Sequence, residues 1–110
     1  MAGKFLLKKA SDGQFYFQLK ASNGETILTS EMYAAKPSAT NGIASVQKHA
    51  PDDKNYERKN DKTGKPRFNL KASNGQVIGT SESYSSESAR DAGIASVKTN
   101  AASAATEDQS

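Results

Sequence analysis

Two stretches decide the fold: Phe17-Gln-Leu-Lys-Ala-Ser-Asn-Gly-Glu-Thr-Ile-Leu-Thr-Ser-Glu-Met-Tyr33 and Phe68-Asn-Leu-Lys-Ala-Ser-Asn-Gly-Gln-Val-Ile-Gly-Thr-Ser-Glu-Ser-Tyr84. The second repeats the first at a fixed offset of 51 residues, from Phe17 to Phe68. The offset holds without a gap into Gly42-Ile-Ala-Ser-Val46 and Gly93-Ile-Ala-Ser-Val97. A long match at constant spacing marks a duplicated supersecondary unit. Upstream the match is weaker but in phase: Phe5 falls opposite Tyr56, Lys8 opposite Lys59 and Gly13 opposite Gly64.

Each copy reads as three strands and a helix. Phe15, Phe17 and Leu19 alternate with Tyr16, Gln18 and Lys20, the period of a half-buried strand; Phe68 and Leu70 alternate with Arg67, Asn69 and Lys71 in the same way. Asn23-Gly24 and Asn74-Gly75 predict tight hairpins with both residues at positive φ. The returning strands run over Thr26–Thr29 and Val77–Thr80, and first strands over Lys4–Lys9 and Asn55–Lys59. Ala39, Ile43, Val46 and Ala50 then line one face of a helix, as do Ile94, Val97 and Ala101. Ser85 or Ser86 can cap the second helix near Glu87, and Pro37 suits the first turn of the first. Gly42 and Gly93 inside the helices imply a close approach to a strand or to the other helix.

One such unit buries too little apolar surface to stand alone, so two copies are expected to share a core about a pseudo-two-fold axis. The expected architecture is α+β: two tandem β-β-β-α repeats, about 4–50 and 55–101, in one domain over 1–101. It has a single antiparallel sheet with two helices packed on it. Residues 102–110, without apolar periodicity, are expected to be a disordered tail.

The bulk composition narrows the classes. Of 110 residues, 35% are hydrophobic and 25% charged, the low edge of the globular range and a modest core. With no cysteine there is no disulfide framework and no Cys-based metal site. The N-terminus carries no apolar run of signal-peptide length, and no segment reaches the ~20 apolar residues of a membrane span, so no membrane partner is expected and the chain reads as cytoplasmic. A net charge of +3 permits a nucleic-acid partner without requiring one.

The strings Lys-Ala-Ser-Asn-Gly, Ser-Glu-x-Tyr and Gly-Ile-Ala-Ser-Val, each present twice, resemble the YegP-like family of small uncharacterised bacterial and archaeal proteins, in its duplicated form. The resemblance covers both copies. It implies one continuous sheet with exchanged strands and both helices packed against it; single-repeat relatives are implied to build the same body as homodimers, and the duplicated chain reads as a monomer. It implies no activity, substrate or cofactor. Lys36-Pro37 departs from the serine-rich helix start of the second copy, which leaves the start of the first helix open.

Chemistry-bearing residues are few. His49 has Asn100 as its counterpart and no second histidine or cysteine to complete a metal site, so a structural or solvated role is expected. Neither a Gly-x-Ser-x-Gly elbow nor a Gly-rich phosphate loop is present, and the chain reads as non-enzymatic, with no cofactor and no catalytic residue assigned. Glu31 with Tyr33, and Glu82 with Tyr84, fall between the last strand and the helix of each copy, where their functional reading is an acid–base pair or a polar clamp for a ligand or partner; capping and core cover are the preferred roles. The densest positive run is Arg58-Lys59-Asn60-Asp61-Lys62-Thr63-Gly64-Lys65-Pro66-Arg67. Arg58, Lys59, Lys62, Lys65 and Arg67 are its candidate nucleic-acid contacts, set against a solvated edge that resists aggregation. The expected function is a small binding or accessory module for a protein or small ligand. The alternative is a weak nucleic-acid binder working through the basic hairpin.

Overall fold

The computed structural model describes residues 3–102 and 104–110; Met1, Ala2 and, within the tail, Ser103 lie outside the described residues. The chain runs β1 (Lys4–Lys9), β2 (Phe15–Lys20), β3 (Thr26–Thr29), α1 (Lys36–His49), a short 3-10 turn (Asp53–Asn55), β4 (Tyr56–Asn60), β5 (Pro66–Lys71), β6 (Val77–Thr80), α2 (Glu87–Ala101) and β7 (Ala105–Asp108). The strands form one sheet in the order β4-β5-β6-β3-β2-β1-β7. The two copies meet at its centre, where β3 and β6 pair antiparallel at Thr29 and Thr80. With the repeat cut as β-β-β-α, no strand is exchanged between copies; it is the helices that straddle both, α1 packing on β5 and β6 as well as its own β1 and β2, and α2 on β1, β2 and β3 as well as its own β5.

Strand alternation delivers the predicted faces. Phe5, Leu7, Phe17 and Leu19 on one half, and Tyr56, Phe68 and Leu70 on the other, join Val46 and Val97 of the helices in one core. The packing is duplicated down to ring geometry: Phe5 meets Phe17 edge-on at 5.9 Å as Tyr56 meets Phe68 at 5.7 Å. The symmetry breaks at the axis. Gly79 occupies the position equivalent to Leu28, and a Cβ added there would sit 2.6 Å from Leu28 Cδ2. Two leucines would overlap at that point, so a single leucine fills the space for both copies.

Two expectations are corrected, the hairpin turns and the tail, and the start of the first helix, left open by the sequence, is fixed. The Asn-Gly hairpins are not two-residue turns, since among the described residues only glycines take positive φ. Instead Ala21 N–H donates to Glu25 O and Gly24 N–H to Ala21 O, a turn closed by Gly24 at φ +89°, while Asn23 Oδ1 accepts from Glu25 N–H. This is the three-residue loop with a glycine bulge, and the β5–β6 turn repeats it at Gly75. The expected disordered tail contains β7, which lies parallel to β1 and so departs from a purely antiparallel sheet. The open edge of β1 supplies unpaired backbone groups, and Lys4–Glu107, Lys36–Asp108 and Gln109 N–H to Leu7 O fasten the strand there. The start of α1 falls at Lys36, with Pro37 in its first turn and no side-chain cap at Ala35, whereas Ser86 Oγ caps α2 by accepting from Ala89 N–H.

Candidate functional site

The Ser-Glu-x-Tyr segments are built into the scaffold. Ser30 Oγ accepts from Phe17 N–H and donates to Glu31 O; Ser81 Oγ does the same with Phe68 and Glu82. The serine thus replaces a ladder bond where the strand ends. Tyr33 stacks on Phe17 at 6.4 Å and Tyr84 on Phe68 at 6.3 Å. Each ring presses on its own copy's helix glycine: a Cβ on Gly42 would lie 2.6 Å from Tyr33 Oη, and one on Gly93 2.3 Å from Tyr84 Oη. The close approach predicted for those glycines is therefore to the tyrosine of the neighbouring motif. Burial first, and then the neighbouring glutamates, push both phenols above their ordinary pKa, which keeps them protonated and unsuited to act as bases. Glu31 and Glu82 are exposed. Glu31 and Tyr33 line one hollow with Gln76, Val77 and Ile78, whereas Tyr84 lines a different one with Glu25, Ile27 and Ala89 and without Glu82, so the first pair shares an open depression and the two pairs do not meet each other.

His49 and Asn100 do one job in two copies. His49 Nδ1 lies 2.8 Å from Ser45 O and Nε2 accepts from Ser73 N–H. Asn100 Nδ2 donates to Ser96 O and Oδ1 accepts from Gly3 N–H. Each ties a helix end to backbone elsewhere in the body, the structural one of the two roles expected for His49. No group of three or more His, Cys, Asp or Glu among the described residues could hold a metal ion. Nor is any helix among them long and apolar enough to cross a membrane.

The basic hairpin is split by strand alternation. Arg58 faces the helices, where Nη2 donates to Asp53 and Nε to Asp91 of α2. Hydrogen bonds from Lys98 and then Arg58 hold the Asp53 carboxyl below its usual range. Arg58 is thereby neutralised and lies apart from the other candidates. Lys62 and Lys65 sit exposed on the turn, and Lys59 pairs with Arg67 across the strands on the opposite face. Asp61 beside them is fully engaged: it accepts from Thr63 N–H and Oγ1, Lys65 N–H and Ser83 Oγ. Those bonds, Ser83 foremost, lower its pKa strongly. Lys59, Lys62 and Arg67 line a polar depression of about 540 Å³ around it.

The face turned away from the helices is not visible in any contiguous run of the sequence. The register places Lys4, Lys8 and Lys20 on it from the first copy and Lys59, Arg67 and Lys71 from the second, with Glu57 and Glu107 as its carboxylates. Six cations less two carboxylates give this face +4; with the whole chain at +3, all other residues together carry −1. Lys4 and Lys71 are paired with Glu107 and Glu57, while Lys8, Lys20, Lys59 and Arg67 have no carboxylate partner among the described residues. Across the middle runs a polar row in register, Gln18, Thr29, Thr80 and Asn69. Tyr16 and Arg67, equivalent positions of the two copies, flank it on β2 and β5.

Two atoms on this face break the rule that buried polar groups are paired. Asn69 is 7% exposed; its Nδ2 donates to Glu57 Oε1 at 3.1 Å, which leaves Oδ1 buried without a partner. Arg67 Nε is likewise buried and unpartnered. The signal for this face was present in the alternation of Lys4, Leu6 and Lys8 and of Tyr16, Gln18 and Lys20. Only the pairing of strands joins those positions into one surface.

One sheet shared by two copies, helices on one side and the other side open, defines a class of duplicated α+β body. The chain belongs to the family described as domain of unknown function DUF1508, whose family model matches residues 10–57 and 61–108. Those limits cut the repeat as β-β-α-β. In that phase the closing strand of the first unit pairs in the other half of the sheet, which is the exchange of strands the resemblance implied, and β7 is its counterpart in the second unit. Among relatives, the UPF0339 protein YegP of Escherichia coli is 55% identical over 108 residues, covering 98% of each chain. A UPF0339 protein of Acinetobacter baylyi is 59% identical over 108 residues, covering 98% of this chain and 97% of the relative. The solution NMR structure of YegP from E. coli, described as a protein of unknown function, matches at TM-score 0.94 with 54% identity, over 99% of this chain and 94% of that one. That of the UPF0339 protein SO3888 from Shewanella oneidensis matches at 0.92 with 52% identity, over 98% and 92%.

Proposed function

We propose that the chain is a non-enzymatic binding module whose working surface is the open face of the sheet and whose ligand is an extended polyanion. One observation carries the reading: the open face holds +4 while everything else holds −1. Folding alone does not require that segregation, since the helix side neutralises its cations in ion pairs such as Arg58–Asp53 and Lys98–Asp53. A surface of one sign concentrates ligands of the other and speeds their arrival. The face also offers little to an apolar protein partner: Leu6 is 7% exposed, and Val77, opposite Lys71, is half-buried. A cytoplasmic location belongs to the same reading, because polyanions of this kind are abundant there.

The test is titration with inorganic polyphosphate at low salt, followed calorimetrically. Lys8→Glu with Lys59→Glu is expected to abolish binding. Arg58→Ala and Lys48→Glu, both away from the open face, are expected to leave it unchanged. Equal loss in all variants, or retention in the double variant, contradicts the assignment of the face.

A further inference from the structure

Resting on that reading, we infer that the polyanion is a single-stranded nucleic acid, laid diagonally over the open face between Tyr16 and Arg67. A bare polyanion needs only the cations. The face carries more than cations, and the additional groups are those that recognise bases.

Stacking comes first. Tyr16 presents an aromatic ring and Arg67 a planar guanidinium, and both kinds of group stack on unpaired bases. They are equivalent positions of the duplication, on strands that run antiparallel to one another, so they lie on opposite sides of the central row. Three strand spacings and a four-residue offset separate them by about 20 Å. Each has a lysine as its cross-strand partner, Lys8 beside Tyr16 and Lys59 beside Arg67, so a phosphate contact accompanies each stacking position.

Hydrogen bonding comes second. The row between them consists of two amides and two hydroxyls, Gln18, Thr29, Thr80 and Asn69, which together donate and accept. Phosphate oxygens only accept, so an acceptor left free beneath the ligand has no use against them. Asn69 Oδ1 is such an acceptor: because Glu57 can only accept from the amide nitrogen, the oxygen is the atom left over. It suits a base N–H or a ribose hydroxyl. Arg67 Nε, the other unpartnered buried atom, is a donor for a base carbonyl or ring nitrogen. Both kinds of partner become accessible when bases are unpaired.

Shape disfavours an undeformed duplex. Seven strands at ~4.8 Å make a face about 29 Å across, wider than a groove of ~12 Å. Against a duplex that is not bent open the face would meet phosphates first.

The experiment compares three probes by fluorescence anisotropy competition: a mixed-sequence single-stranded oligonucleotide of about ten nucleotides, the same sequence as a duplex, and inorganic polyphosphate of equal charge. The oligonucleotide is expected to bind at least about tenfold more tightly than either competitor, with affinity falling about fifty-fold between 50 and 200 mM salt for four released counterions. Tyr16→Leu and Thr80→Val, conservative in a half-buried strand, are each expected to weaken oligonucleotide binding about five-fold or more while leaving polyphosphate binding unchanged; Asn69→Ala serves as a third variant, its fold checked by far-UV circular dichroism. Equal affinity for oligonucleotide and polyphosphate, or variants that alter neither, overturns the nucleic-acid inference and leaves the polyanion reading standing. Absence of binding to every probe overturns both.

Discussion

Exchanging the residues at the pseudo-two-fold axis tests whether the two copies are packed as equivalents. Leu28 is 1% exposed, and Gly79, its mate, has no room for a Cβ because Leu28 Cδ2, Cγ and Cδ1 would lie 2.6, 2.7 and 3.0 Å away. Leu28→Gly alone removes a buried leucine and adds glycine to a strand interior, a loss of ~3–6 kcal/mol from the cavity and the backbone entropy together. Gly79→Leu alone overpacks the same space, at ~1–3 kcal/mol. Summed as independent changes, the two would consume most of the ~5–15 kcal/mol that holds a domain of this kind. The double exchange Leu28→Gly with Gly79→Leu moves the one leucine to the mirror position, where Leu70 replaces Leu19 as its cross-strand partner. It is therefore expected to cost no more than ~2 kcal/mol, with a favourable coupling of at least ~2 kcal/mol in the double-mutant cycle. Urea unfolding followed by far-UV circular dichroism gives all four stabilities, provided the slopes agree. An exchanged protein as unstable as the sum of its singles would refute the claim that one side chain serves both halves.

Two further predictions concern the scaffold around that core. Gly42→Ala, which in an exposed helix would add ~1 kcal/mol of stability, is expected to destabilise here, because the new methyl meets the Tyr33 hydroxyl at 2.6 Å and Phe17 at 2.9 Å; thermal melts of the two proteins decide the sign. β7 is expected to detach in acid. Lys36, and then Ser110, hold the Asp108 carboxyl down to about 2. Since that pKa is depressed below its ordinary value of 3.8, the contribution is complete above the ordinary value and is lost as pH falls through about 2. Amide exchange of Ala105–Asp108 that accelerates in that window, ahead of β1 and β2, confirms it; unchanged protection shows that the backbone pairing alone holds the strand.

Much of the fold can be read from residues alone because two periods coincide. Alternation at Phe15, Phe17 and Leu19 sets a strand face, the spacing of Ala39, Ile43 and Val46 sets a helix face, and the duplication states both twice. What escapes such reading depends on partners distant in sequence. Thr106, Glu107 and Asp108 have no apolar period and become a strand only because β1 offers an edge. Asn23 suggests positive φ, yet Gly24 takes that role while the asparagine side chain closes the turn. Arg58 belongs to a basic run, but it stands at the position equivalent to the core residue Leu7 and so turns toward the helices. The open face is the largest omission. Lys8, Lys20, Lys59 and Arg67 sit in four separate stretches of a strand pattern, and the order β4-β5-β6-β3-β2-β1 is what assembles them. Contiguous runs of charge are poor guides in a sheet, because successive side chains leave on opposite faces.

The most direct measurement of the central claim is amide and side-chain NMR of the labelled protein during addition of a single-stranded oligonucleotide at near-physiological salt. The account predicts that shifts cluster on Tyr16, Gln18, Thr29, Lys59, Arg67, Asn69 and Thr80, with the Asn69 side-chain amide among the largest, and that α1 and α2 stay unmoved. Shifts confined to the Lys62–Lys65 turn, or centred on the helices, would contradict it.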